Sequence, residues 1–339
     1  MEVYFVIYLF LLCAALLSKN SSLLYFITIC FISVLIGYRS EDVGVDTPNY
    51  IEMFEMLKDG YNGYPEPVYG ILCFLAGSFG LSFSLFQSIL VFCCLILLSR
   101  SIKNSTSFYC FPLLLLLNMY LFCYAMNIYR QIIACLICVF ACWSYVNDKK
   151  KLKFISYVML AAGFHLFALS LLIIFFIGKI KLKDAYVYCG IFFSLIIGFI
   201  SVFDYLTLLF GSYGELYLER DADLYVKTGT RLIMAYFMAI YWIIGFLYLL
   251  KRSVHFRDSI YIKLFFIGII LFNILIRHDL GLRVSLFFIS PMVIGLPIFL
   301  NMIDEGRKRT KILIIGYTSL YYFVFIAINS AGVVPYKMF

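Results

Sequence analysis

Charge is scarce in this chain. Only 14% of its 339 residues are Asp, Glu, Lys or Arg, where soluble domains carry roughly 25%. The shortfall runs the whole length, which excludes a soluble domain with an anchor and leaves a polytopic membrane protein. Strand-like alternation is also missing. The apolar runs are uninterrupted Leu, Ile and Phe, which excludes a membrane barrel and selects helices, because hydrocarbon forces every backbone N–H and C=O to bond internally. No Walker loop, GxGxxG, GxSxG or HExxH is present, which argues against an ATP-driven pump or a zinc protease. No His/Cys cluster has metal-ligand spacing, so neither a metal nor another cofactor is expected. The long polar loops lack Cys, so no disulfide framework follows. There is no internal repeat, low-complexity tract or separable soluble domain.

What is present is hydrocarbon-grade sequence. Hydrophobic residues make up 64% of the chain and its mean hydropathy is +0.98. At about 20 residues per span, this allows an all-α, single integral membrane domain over 1–339 with about eleven to thirteen membrane helices. The 11 Cys residues sit mostly in apolar stretches, as in Cys93-Cys94 and Cys135–Cys138, and read as small packing residues. The net charge of +8 is not a nucleic-acid signature. Lys and Arg collect in short loops, Lys149–Lys153 and Arg307–Lys311, as cytoplasmic loops do.

Spans are expected near 2–18, 22–38, 108–125, 128–146, 185–203, 231–250, 259–276, 284–300 and 312–329, and two apolar pieces, 67–80 and 82–99, broken at Gly80, cross once between them. The stretch 154–178 is different. Gly163-Phe164-His165 interrupts it, and basic residues flank both ends. Each half is about a dozen residues, roughly 18 Å of helix, against a hydrocarbon core of about 30 Å. A bent or re-entrant hairpin with His165 at its tip fits. With 301–311 cytoplasmic, counting back places 39–66, 126–130, 204–231 and 277–283 on one outer face.

That face holds most of the polar chemistry. The first outer loop, 39–66, carries Arg39, Asp46, Tyr50 and Glu66, and the second, 204–231, carries Glu215, Glu219, Arg220, Asp221 and Asp223. Arg130 lies about one turn into a helix that is apolar from Ile132 to Phe140, with Gln131 beside it. An ionisable group at that depth is a functional candidate, and snorkelling to the interface is the alternative. Arg283 opens the helix 284–300, and Arg277 precedes it. Several Arg residues at helix ends on one face suit a diphosphate, which guanidinium binds through bidentate, charge-assisted bonds. His165 is either a satisfied structural residue or a base. Asp46 is either the N-cap of a helix Pro48–Lys58 or an acid poised to deprotonate a hydroxyl. Tyr50 either stacks on a sugar or belongs to the interfacial aromatic belt.

Ordered pieces of the chain resemble the EpsG family, bacterial exopolysaccharide and O-antigen polymerases of the Wzy type. They are Tyr38-Arg39, Gly44-Val45-Asp46-Thr47-Pro48-Asn49-Tyr50, Pro65-Glu66-Pro67, Asn127-Ile128-Tyr129-Arg130-Gln131, Leu160–Leu169 around His165, Arg283 at a late helix, and Pro335-Tyr336. The resemblance implies a GT-C-like integral membrane glycosyltransferase of the bacterial inner membrane, its active site facing the periplasm or exterior. Its substrates would be undecaprenyl-diphosphate-linked oligosaccharides, with the lipid bilayer and a chain-length regulator protein as candidate partners. Arg39, Tyr50, Glu66, Arg130, Gln131, Arg277 and Arg283 would then bind diphosphate or sugar, and Asp46 or His165 would be the base. The loop 204–231 is shorter than in many O-antigen polymerases. An O-antigen ligase and a lipid-linked oligosaccharide flippase or transporter are the alternatives. Clustering of the ionisable groups at one face favours an enzyme over a transporter.

Overall fold

A computed structural model describes residues 1–60, 66–201, 229–303, 305–329 and 331–338. The chain is all-α, and the only β-pairing among the described residues is two isolated bridges, Lys19 with Phe108 and Arg39 with Met338. Most of the expected second polar loop lies outside the described residues, and Glu215, Glu219, Arg220, Asp221 and Asp223 lie there with it. Its last three residues, Gly229 to Arg231, already belong to the helix Gly229–Arg252.

Two compact units divide the chain, residues 1–169 with 293–339 and residues 170–292. In the first unit, α1 (Glu2–Leu17) and α2 (Ser22–Gly37) are followed by a short polar loop and α3 (Thr47–Lys58). Then come α4 (Pro67–Ser78), α5 (Phe83–Ser105), α6 (Phe111–Asn118), α7 (Leu121–Ala125), α8 (Tyr129–Asp148) and α9 (Lys151–Ala162). The helices Met292–Asn301, from Val293 onward, and Arg307–Ala327 also belong to this unit. Local chemistry explains where these helices begin. Ser21 and Ser82 accept hydrogen bonds from the backbone N–H groups of Leu24 and Leu85, at 3.2 and 3.3 Å, and so cap α2 and α5. Pro48 and Pro67 sit in the first turns of α3 and α4, where a missing N–H costs nothing.

The expected span 108–125 is broken. Tyr120 adopts φ +64°, which ends α6 and starts α7. Its hydroxyl donates to the Phe325 carbonyl at 3.1 Å, one of the bonds that hold this bend. The expected interruption of 154–178 is present: α9 stops at Ala162, and after Gly163-Phe164-His165 a 3-10 helix runs over Leu166–Ile173.

In the second unit the helix Asp184–Ile200 packs on Ile260–Ile274, which also meets Gly229–Arg252. Asn273 donates to Ser194 Oγ at 2.9 Å, a polar tie between two apolar helices. The expected helix 284–300 is two pieces, Asp279–Ile289 in this unit and Met292–Asn301, which belongs to the first unit from Val293 on, divided at Ser290-Pro291. Pro291 lacks the N–H that a continuous helix needs.

Among the described residues, four helices are long and apolar enough to cross a bilayer, Phe83–Ser105, Tyr129–Asp148, Gly229–Arg252 and Arg307–Ala327. Counting the divided pair as one broken span adds a fifth. Other apolar helices of 10–17 residues, α1, α2 and α4 among them, accompany these. Exposed Leu, Ile and Phe side chains cover the surface, including Leu17, Leu23, Phe79 and Phe176. The protein is therefore a multi-pass membrane protein, with shorter and more broken helices than unbroken hydropathy suggested.

Candidate functional site

The polar loop after α2 folds around Arg39. This side chain is 1% exposed. Its Nε donates to the carbonyls of Met126 at 2.9 Å and Val43 at 3.3 Å. Nη1 donates to the Ile36 carbonyl and to Gln87 Oε1, and Nη2 donates to Thr47 Oγ1 at 3.3 Å. Burial lowers its pKa to about 10, so it stays protonated at neutral pH. Three donor nitrogens thus tie α2, the loop, α3, α5 and the turn after α7 into one knot. Arg39 was expected to bind substrate; its hydrogen bonds to the protein make it the organiser of the loop.

Two further features hold the loop in place. Gly44 has φ +90°, and a Cβ there would stand 2.1 Å from the Met126 carbonyl oxygen, so only glycine allows this crossing. The C-terminal segment lies alongside. Ser40 N–H donates to the Lys337 carbonyl and Gly44 N–H to the Gly332 carbonyl, both at 2.9 Å. The Tyr336 hydroxyl donates to the Leu35 carbonyl at 2.8 Å and the Tyr4 hydroxyl to the Val333 carbonyl at 2.6 Å.

The turn at Met126-Asn127-Ile128 leads into α8. Asn127 Oδ1 accepts the Asp46 backbone N–H at 2.9 Å, placing Asp46 at the start of α3. Asp46 occupies the N-cap position but makes no side-chain cap bond, and it is half-buried. Tyr129 begins α8 and donates through its hydroxyl to the Gln87 carbonyl at 2.8 Å. Arg130 is therefore in the first turn of α8, nearer the helix end than the sequence suggested.

Arg130 is the centre of a second cluster. Its Nη1 forms an ion pair with Glu66 Oε2. The guanidinium lies 5.4 Å from the Tyr50 ring centroid and 5.6 Å from that of Tyr69, within cation–π range. Tyr129 meets Tyr50 edge-on at 6.4 Å. Glu66 stands just before α4. Burial pushes its carboxyl up to about 7, and a hydrogen bond from the Leu166 backbone N–H opposes the rise.

That hydrogen bond brings in the break after α9. The Gly163 carbonyl accepts the N–H groups of Val68 and Tyr69, both at 3.1 Å, so the turn caps the start of α4. A Cβ on Gly163 would come within 2.2 Å of Val68 Cγ2. His165 lies in this turn, half-buried, its ring 5.4 Å from that of Phe167.

The first unit thus brings Arg39, Asp46, Tyr50, Glu66, Arg130 and the turn carrying His165 into two adjoining knots. Gln131 is on α8 and only 2% exposed. Arg277 and Arg283 belong to the second unit. Arg277 is half-buried and donates to the Phe199 carbonyl at 3.2 Å. Arg283 is one turn inside the helix Asp279–Ile289 rather than at a helix start, since that helix begins five residues earlier than expected. Sequence reading overlooked Gln87, which is fully buried and anchors both Arg39 and Tyr129. A glutamine within the apolar α5 was the available signal. Among the described residues, no three His, Cys, Asp or Glu side chains gather to hold a metal.

A model of the EpsG family matches residues 22–338. No curated protein and no solved structure matches the chain.

Proposed function

From the premise that the chain belongs to the EpsG family, we propose that it is a GT-C-like glycosyltransferase that polymerises undecaprenyl-diphosphate-linked oligosaccharide repeat units into bacterial surface polysaccharide. The reaction takes place on the outer face of the inner membrane. The acceptor hydroxyl attacks the anomeric carbon of the lipid-linked chain, the bond from that carbon to the diphosphate oxygen breaks, and the bonding pair leaves with the diphosphate.

The observation that carries this reading is the setting of Arg130. A guanidinium held against two tyrosine rings at the N-terminus of an apolar helix offers a fixed positive charge and helix-end N–H groups to an anion. Charge grows on the departing diphosphate, and a preorganised cation favours the transition state over the ground state. Arg277 and Arg283 are further proposed phosphate ligands, and Tyr50, Glu66 and Gln131 are proposed to contact diphosphate or sugar. Asp46 and His165 are the candidates to take the acceptor proton. The basic loops Lys149–Lys153 and Arg307–Lys311 support a cytoplasmic side opposite the site.

A gel of surface polysaccharide tests the assignment. Arg130→Ala should leave the protein in the membrane while long polymer disappears and single repeat units accumulate on lipid. Asp46→Asn and His165→Ala, run beside it, should separate the two base candidates. The true base should lose about 10²–10⁴ in rate, and a variant with wild-type ladders is not the base. Wild-type ladders from Arg130→Ala would refute the diphosphate role.

A further inference from the structure

We propose, on the reading that Arg130 binds the donor diphosphate, that Glu66 is its exchangeable counterion: the carboxylate leaves Arg130 when diphosphate arrives and returns to displace the product diphosphate. The argument begins with desolvation. A buried guanidinium is costly without a partner, and Glu66 supplies that partner here through the Nη1 ion pair. Both side chains are largely but not fully buried, 18% and 11% exposed.

The two ends of this pair are held in different ways. Arg130 is fixed by the ring faces of Tyr50 and Tyr69. Ring contacts hold the guanidinium whichever anion lies at its edge, so the partner can change while the cation stays. Glu66 precedes α4 and makes no cap bond to that helix through its side chain. The Leu166 N–H already bonds its carboxylate, and is a partner it can keep when Arg130 turns to another anion. A diphosphate carries more negative charge than a carboxylate and accepts bidentate bonds, so it is the stronger competitor. Once the glycosyl chain has moved on, the spent lipid diphosphate must leave. A carboxylate waiting beside the guanidinium keeps the vacated site from being left unpaired and lowers the barrier to release.

Among the described residues, the charged group against Glu66 is Arg130 from α8, which also meets the rings of Tyr50 from α3 and Tyr69 from α4, and His165 is the titratable neighbour in sequence of Leu166, whose N–H bonds Glu66. Protonating Glu66 removes the competitor, so diphosphate should bind more tightly as pH falls through about 7.

The test uses the full chain purified in detergent, with farnesyl diphosphate as the probe. Glu66→Gln keeps an oxygen for the Leu166 N–H but loses the charge. It should bind the probe about tenfold more tightly than wild type and lose the pH dependence. KM and kcat for polymerisation should fall together as release becomes limiting. Glu66→Asp should restore part of the wild-type behaviour. Equal or weaker probe binding by Glu66→Gln overturns the exchange. The wild-type protein supplies a measurement that needs no Glu66 variant: between pH 8 and pH 6 its gain in affinity should exceed that of Arg130→Ala and persist in His165→Ala. A wild-type gain no larger than that of Arg130→Ala overturns the exchange as well. If Arg130→Ala binds the probe as wild type does, the diphosphate reading itself fails, whatever Glu66→Gln does.

Discussion

Two arginines in the first unit do opposite things with the same side chain. Arg39 sends its donors to carbonyls, Gln87 and Thr47, with 1% of its surface exposed. Arg130 meets one carboxylate and two rings. The first arrangement stiffens a loop; the second presents a charge. Arg39→Ala should cost about 3–5 kcal/mol, because the partners of a buried charge are left without donors. Thermal unfolding in detergent measures that loss. Both arginines were legible as candidates, since charges in an apolar chain are conspicuous. Their division of labour was not. It depends on Met126 arriving beside Arg39 from 87 positions away, which no local pattern announces. Gln87 stayed hidden for the same reason, its role set by partners on other helices.

At the scale of elements, the sequence conveyed which stretches are helical better than where they stop. The spans near 2–18, 22–38 and 128–146 match α1, α2 and α8 closely. The interruption at 163–165 was also foreseen, because Gly and His within an apolar run and basic flanks on both sides leave a physical trace. The bend at Tyr120 leaves none, since a tyrosine with φ +64° is held there by its surroundings. The loop over Met126 rests on a similar local demand. Gly44→Ala would force a methyl group into the Met126 carbonyl at a backbone angle that L-residues avoid. Such a variant should lose about 2 kcal/mol or more, read as a lower Tm, with polymer length falling as the Arg39 knot loosens.

For the whole molecule, membership of the EpsG family turns these local facts into an expectation about cells. Deleting the gene should leave surface polysaccharide as single-repeat caps. No polysaccharide at the surface would point to a flippase instead, and free lipid-linked polymer to a ligase. Composition alone established the membrane class, because 14% charged residues cannot clothe a soluble protein of this length. The number of full-length crossings was less legible. Apolar composition does not record where a helix breaks, and several apolar helices are only 10–17 residues long.

The partners of Ser40 and Gly44 are the carbonyls of Lys337 and Gly332. An early segment of the chain is therefore clamped by one that is made roughly 290 positions later. During translation the loop must wait for those carbonyls while the described helices between them are made. Assembly of the Arg39 knot is in this way tied to the arrival of Gly332 and Lys337, and a chain that stops short of them cannot acquire this loop geometry.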